Sequence, residues 1–498
     1  MTVFLGIDLG TTGTKVALFH PEEGVVGTHT IPCQTISLHP GWAEADTNEW
    51  WKNICLLIPA VLREAGLTSN EVGGVAVSGM VPAVIPLDED GSALRHAILQ
   101  NDARACQQIE ALKIAIPDEQ DLLMRTGSAI TQQSVAPTLI WLRENEKDTW
   151  EKTKSIAGSY DWLSRRLGAS AHVEFNWGLE SGLFERSGDI AQDVMQAAQI
   201  PQGIIPSIEQ PGAIVGHVST EAAAECGLNP GTPIVVGGAD HVLSAFAAGL
   251  SENGDWLIKL GGAGDILVAT DTPFVDERLY LDAHPQSGMW MPNGCMATSG
   301  SLIRWNQSLV SGDGPLVSLQ TLDKEAEKSH PVSLIMLPYF LGEKSPLHDP
   351  LLRGAIAGMH LGTTRGDLHR GILEAIAYGF RQHVEIFSEH NIDLGIARVT
   401  NGGSKSTLWK EILASVLNRE LVSVRDHPGS SLGAAFVAAV GLSAVTGWSS
   451  VNQYIQFEAP IEPDHSQVVI YNEGYEMFLE MSQTLTPISH RLSRMAES

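Results

Sequence analysis

Apolar positions alternate through Val3, Leu5 and Ile7, pause at the turn LGTTG, and resume as the run Val16, Ala17, Leu18, Phe19. That pattern predicts strand, tight turn, strand. Much later the chain repeats it as DWLIKL, GGAG, DILVAT. Setting Gly10 against Gly261 and Gly13 against Gly264 gives an offset of about 251 residues, half the chain, as an internal duplication would. Two similar α/β domains are expected. Further units read GGVAVSGM and GTPIVVGGAD, buried strands ending in small residues, and Arg398 to Leu421, a strand, a Gly-Gly turn and a helix through Trp409, Ile412, Leu413 and Val416. SSLGAAFVAAVG follows as a small-residue helix suited to close packing. The polar LSENGD stretch, Leu250 to Asp255, places the cut between domains 1–250 and 251–498. The tail beyond Thr484 reads as a fraying helix.

Charge narrows the partners. The chain has 498 residues, 31 Lys plus Arg against 58 Asp plus Glu, and a formal net charge of −27. Such a surface repels nucleic-acid phosphates and anionic lipid. No apolar run reaches the ~18 residues of a membrane span. Asp8 interrupts the segment where an export signal would keep its apolar region, so a cytoplasmic protein is expected. The five cysteines (Cys33, Cys55, Cys106, Cys226, Cys295) contain no close pair and fit reduced thiols.

Several residue groups could carry chemistry. In DLGTTGTK the glycines let backbone N–H groups approach an oxyanion, Thr11, Thr12 and Thr14 add hydroxyls, and Asp8 could hold hydrated Mg²⁺ beside a nucleotide phosphate. The bland alternative is an ordinary hairpin turn. Asp240 ends a buried strand, where ligands of open α/β sheets bind. It could take a proton from an attacking hydroxyl, or simply cap the next helix. His241 beside it reads as a rim or packing residue. Asn101 to Arg104, with Asp88 and Asp90 upstream, could read sugar hydroxyls or start an exposed helix. Gly402, Gly403 and Ser404 could pass an adenosine close to the backbone or make a tight connection. Gly429, Ser431 and Gly433 match the GxSxG of hydrolase elbows, with Asp464 and His465 downstream. An adjacent Asp and His on one extended stretch point to opposite faces, so the serines are read as N-caps.

In this order, from GIDLGTTGTK through PGWAEADTNEWW, GSYDWLSRRL and LPYFLGEKSPLHDPLLRGAIAGM to SSLGAAFVAAVG, the chain resembles the FGGY carbohydrate kinases. The stretch Gly354 to Glu374 follows the family's C-terminal signature, with Gly371 where Ala or Ser is usual. The resemblance implies an α/β fold of two actin-like (ribonuclease H-like) domains with an interdomain catalytic cleft. It implies ATP and Mg²⁺ as cofactors, a sugar substrate, and a homodimer as a family-level expectation. By this likeness Asp8 serves the metal, and Gly10, Thr11, Thr12, Gly13, Thr14 and Lys15 form the first phosphate loop. Gly261, Gly262, Ala263 and Gly264 form the second, and Gly402, Gly403 and Ser404 border the adenosine. Asp240 is the general base, and Met80, Val81, Asp102 and Asp240 meet the sugar. Xylulokinase-like members are nearest in flavour, but Val81 and Pro82 replace a Met-His pair, Gln100 precedes Asn101-Asp102 where WND is usual, and Thr138 replaces a lysine. The expected reaction is phosphorylation of a ketopentose such as xylulose or ribulose, or a related modified sugar, at a terminal hydroxyl. A polyol or sugar acid is the alternative acceptor; an actin-like ATPase scaffold and a hydrolase built on Ser431 are the alternatives of other classes.

Overall fold

The computed structural model describes residues 2–427 and 429–496. Two six-stranded mixed sheets organise them. The first contains β1 (Val3–Leu9), β2 (Gly13–His20), β3 (Gly24–Pro32), β4 (Val72–Gly79), β5 (Ile214–His217) and β6 (Pro233–Ala239), in the order β5-β6-β4-β1-β2-β3. The second contains β7 (Trp256–Leu260), β8 (Gly264–Val268), β9 (Tyr280–Ala283), β10 (Trp290–Met296), β11 (Ala397–Thr400) and β12 (Leu421–Ser423), in the order β9-β10-β8-β7-β11-β12. In each, a glycine hairpin pairs antiparallel (β1 with β2, β7 with β8) and its first strand pairs parallel with a later one (β4, β11). The duplication expected from the two glycine turns is therefore a duplication of topology. The sheets differ at their margins, β5 extending the parallel edge of one and β9 the antiparallel edge of the other.

The central strands are apolar on both faces because both faces are covered: Val75, Ala76 and Val77 are all buried beneath helices. β7 divides its side chains between two cores. Trp256, Ile258 and Leu260 enter the second-lobe core, whereas Leu257 joins the first. With a period of two, Lys259 shares the Leu257 face and projects toward the first lobe.

The small-residue helix, α7 (Ser430–Gly441), follows the last strand of the second sheet, yet it packs on β1 and β4 of the first. Before it come α1 (Thr47–Glu64), α2 (Phe175–Ser181), α3 (Asp240–Ala247), α4 (Gly300–Ser311), α5 (Arg365–Glu389) and α6 (Thr407–Leu417); α8 (His465–Ala496) closes the chain. Missing side chains make the α7 contact possible. A Cβ on Gly6 would lie 1.9 Å from the Ser431 carbonyl oxygen, and one on Gly433 would lie 2.3 Å from that of Leu243 on α3. Thus α3 and α7, the helices that follow the last strand of each sheet, pack against one another.

Three local readings change. The tail does not fray from Thr484: α8 runs on to Ala496, with the His490 ring on Asp349 (2.6 Å) and the Ser493 hydroxyl donating to the Leu351 carbonyl (2.8 Å). Asp464 and His465 lie at the start of that helix rather than on an extended stretch, and Asp464 accepts from the Ser466 N–H (3.0 Å). The N-cap of α7 is Gly429, at φ +80°; Ser430 and Ser431 sit inside the first turn. The five cysteines are free, and no described helix is long and apolar enough to cross a membrane.

Candidate active site in the cleft

Asp240 is the first residue of α3, whose N-cap is Ala239, and no side chain caps this helix. The capping alternative is therefore not realised. A Cβ on Gly237 would lie 1.8 Å from the Val77 carbonyl oxygen, and the β6–β4 register shifts between Val235 and Gly238. The Gly-Gly pair lets β6 press against β4 there, and this irregularity precedes the turn into Asp240.

Asp240 opens onto a cavity of about 540 Å³ between the lobes, lined also by Val81, Gln100, Glu180, His241, Asp265 and Asp282. The His241 Nε2 lies 2.7 Å from Asp282 Oδ2 of β9, while its Nδ1 lies 3.6 Å from Asp240 Oδ1. Asn293 of β10 donates to the same Asp282 oxygen at 2.7 Å. Burial alone would pull the His241 imidazolium down, but Asp282, Asp240 and Glu180 outweigh it and hold the ring well above its ordinary value. Burial, then repulsion from Asp282, pushes Glu180 up. Glu180 Oε1 and Asp282 Oδ1 are buried without hydrogen-bond partners. Ligand atoms of Glu180, His241 and Asp282 lie within 4.8 Å of one another, near enough for one ion; the short His241–Asp282 hydrogen bond already occupies the imidazole Nε2.

Asp8 of β1 lies near enough to Asp240 for the two charges to interact. Burial, then the charge of Asp240, pushes its carboxyl up to about 7, against the Ser430 hydroxyl and Lys15. Its Oδ1 is buried and unpartnered. A carboxylate oxygen with no donor, next to a second carboxylate, suits a cation, so the residues present fit Mg²⁺.

The loops behave differently from one another. Gly10 N–H donates to the Gly13 carbonyl at 3.1 Å, closing the first turn; Thr11 and Thr12 are exposed. Thr14 is fully buried with its hydroxyl 3.2 Å from Cys33 Sγ, and Lys15 lies opposite Asp8 in the register. In the second turn, the Gly261 and Gly262 carbonyls accept N–H groups of Gly300 (2.8 Å) and Ser299 (2.9 Å) at the start of α4. Ala263 is half-buried and Gly264 is pressed toward Phe380, whereas a Cβ on Gly262 would meet open space. Gly402, Gly403 and Ser404 form a tight helical turn after β11. Gly403 closes on Leu260 and Trp409, Gly402 faces open space, and the Ser404 hydroxyl donates to the Asn401 carbonyl at 2.7 Å.

Of the sugar-facing residues expected, Val81 lines the cavity with Asp240, and Met80 is buried beside it in sequence. Asp102 is buried in an ion-pair cluster, accepting from Arg104 (2.8 and 2.7 Å) and the Ala43 N–H (2.6 Å), while Arg104 stacks 3.8 Å over Trp42. Asp88 accepts from the N–H groups of Asp90 and Ser92, a turn of its own. Sequence reasoning passed over Glu180, Asp282, Asn293 and Lys259, read Ser430 as an N-cap, and gave His241 a rim or packing role. Adjacency to Asp240 was the single signal for His241; the four residues passed over stand in no motif.

A duplicated α/β hairpin sheet with its acids gathered in the cleft is the actin/sugar-kinase architecture. The N-terminal domain of the FGGY family of carbohydrate kinases matches residues 3–247 and its C-terminal domain residues 258–442, so this chain belongs to that family and is a carbohydrate kinase. It is similar to the crystal structure of xylulose kinase from Rhodospirillum rubrum, with 37% identity, a TM-score of 0.92, and coverage of 98% of this chain and 100% of that one. It is 26% identical over 487 residues to xylulose kinase of Staphylococcus epidermidis, covering 96% of this chain and 95% of the relative. It is also 23% identical over 494 residues to gluconokinase of Bacillus subtilis, covering 97% and 96%.

Proposed function

We propose that this kinase transfers the terminal phosphoryl group of ATP to a terminal hydroxyl of a neutral ketopentose, xylulose or ribulose in type. The observation that carries the choice is the charge of the acceptor cavity. Glu119, Glu180, Asp240, Asp265, Glu277 and Asp282 line it against Lys113, Lys344 and the His241 ring, and no arginine does so among the described residues. The unpartnered oxygens of Glu180 and Asp282 call for hydroxyl donors, and a sugar carboxylate would be repelled. The named relatives include both xylulose kinases and a gluconokinase, so this charge discriminates between them.

In this reading Asp240 accepts the proton of the sugar hydroxyl as its oxygen attacks phosphorus in line with the departing ADP. Thr11, Thr12 and backbone N–H groups of the two glycine turns orient the phosphates, and Gly402 to Ser404 leave room for the adenosine. Mg²⁺ held at Asp8 would neutralise phosphate charge. Positioning and charge stabilisation supply most of the acceleration. Met80 and Val81 wall the acceptor side, and Asp102, through its Arg104 cluster, shapes the segment bearing Gln100. In the same reading the domains divide at 250/251, and the protein works in the cytoplasm as a homodimer with no nucleic-acid or membrane partner.

ADP release with Mg-ATP across ketopentoses, pentitols, glycerol and gluconate tests the proposal. Stimulation by a ketopentose and none by gluconate is expected. A preference for gluconate, or ATP hydrolysis indifferent to every sugar, would overturn it.

A further inference from the structure

The His241–Asp282 contact crosses between the lobes, and the seam around it is fixed. Asn176 of α2 clamps the strand at the next residue: its Nδ2 donates to the Ala283 carbonyl (2.9 Å) and its Oδ1 accepts the Ala283 N–H (2.7 Å). One residue further, the His284 ring meets the Leu250 carbonyl at 2.8 Å. Phe175 and Leu179 of α2 pack on Ala283. Asp282 is therefore sewn in place by first-lobe contacts to the two residues that follow it, and Asn293 holds its Oδ2 from β10. It is 2% exposed, so its carboxylate has little freedom to turn away.

We propose that Asp282 of the second lobe and His241 of the first form a positioning pair for Asp240, which rests on the kinase reading above. Asp282 fixes the ring through Nε2; Nδ1 then faces the Asp240 carboxylate and holds the oxygen that receives the proton. The sugar O–H proton passes to Asp240 as the new O–P bond forms and the bond to the ADP oxygen breaks, while His241 keeps both of its own protons. Asp240, whose side chain is about a third exposed, has no helix-capping bond to hold it. The imidazolium is the group on its own helix that can. Around the ring stand Asp240 from α3, Glu180 from α2, Asp282 from β9 and Asp265 from β8, all acidic.

The test uses the full-length enzyme and its best sugar, with kcat measured from pH 6 to 8. In Asp282→Asn the ring loses its anionic partner while its burial remains, so the imidazolium is lost as pH rises through neutrality. Relative to the unsubstituted enzyme, kcat should fall about tenfold or more across that window, with KM for Mg-ATP held within about twofold. His241→Lys keeps a charge and should retain at least about ten times the kcat of His241→Gln, with no added pH dependence. A drop in Asp282→Asn that is the same at every pH would mark a merely structural role and overturn the proposal. So would equal kcat in His241→Lys and His241→Gln, a comparison that stands even if Asp282→Asn fails to fold. Failure of the kinase reading looks different: the unsubstituted enzyme would then show no sugar-dependent turnover.

Discussion

The two glycine hairpins share a topology and reverse the order of an acid and an ammonium. In the first, Asp8 on β1 pairs across the strands with Lys15 on β2; in the second, Lys259 on β7 pairs with Asp265 on β8. The offset of about 251 residues that superposes the glycines also sets Asp8 against Lys259. One lobe thus brings an acid to the cleft at the position where the other brings an ammonium. The second pair is bonded, with Lys259 Nζ 3.2 Å from Asp265, and Lys259 also feels Asp240. Packing differs in the same way. Gly6 of β1 leaves space for α7 to lie against the strand, while Leu257, its counterpart, fills space in the first core. Duplication supplied two similar frames, and the same position of each first strand carries an acid in one, Asp8, and an ammonium in the other, Lys259.

Filling the seam between α3 and α7 should have the largest effect. Gly433→Val places carbon against the Leu243 backbone and should cost about 3 kcal/mol or more, read as a large loss of thermal midpoint or of folded yield. Unchanged melting would mean that α7 does not sit where the lobes meet. Lys259→Met leaves Asp265 unpaired and should destabilise by about 1–3 kcal/mol; adding Asp265→Leu should recover most of that loss in the same melt. Gly262→Ala and Gly264→Ala separate ligand space from packing space. The first should leave the midpoint alone and raise KM for Mg-ATP about tenfold, a cost of about 1.4 kcal/mol. The second, 2.8 Å from Phe380, should lower the midpoint. Equal Mg-ATP affinity in Gly262→Ala would remove the loop from the phosphate site. The mildest effect is titrational. Burial pushes His284 and His383, both second-lobe residues, down to about 4 from the ordinary 6.5. The unfolded rings take up protons first, so stability is full above pH 6.5 and declines as pH falls toward 4. His383→Gln should flatten part of that decline in denaturant titrations at pH 7, 6 and 5; an unaltered slope would contradict the assignment.

What was legible in the sequence was what local pattern encodes. The Val3-Leu5-Ile7 alternation and the LGTTG and GGAG turns place both hairpins, because a glycine turn between apolar runs has few other solutions. Asp240 at the end of β6 was readable for the same reason. The return of α7 to the first sheet was not, since SSLGAAFVAAVG specifies close packing without naming the partner; the partner is set by Gly6, more than 400 residues earlier. Glu180, Asp282 and Asn293 were invisible because they meet only through the seam between α2, β9 and β10, which no spacing announces. His241 was seen and undervalued, its partner Asp282 being 41 residues away on the other lobe. The tail misread because α8 is held at its end by Asp349 and Leu351, contacts that propensity does not contain.

If the lobes converge on Asp240 as the one proton acceptor, its loss should show in sugar-dependent ADP release by Asp240→Asn at saturating Mg-ATP, with nucleotide binding measured on the same preparation. A fall of ~10²–10⁴ in kcat with nucleotide binding intact is predicted. Turnover close to that of the unsubstituted enzyme would contradict the account.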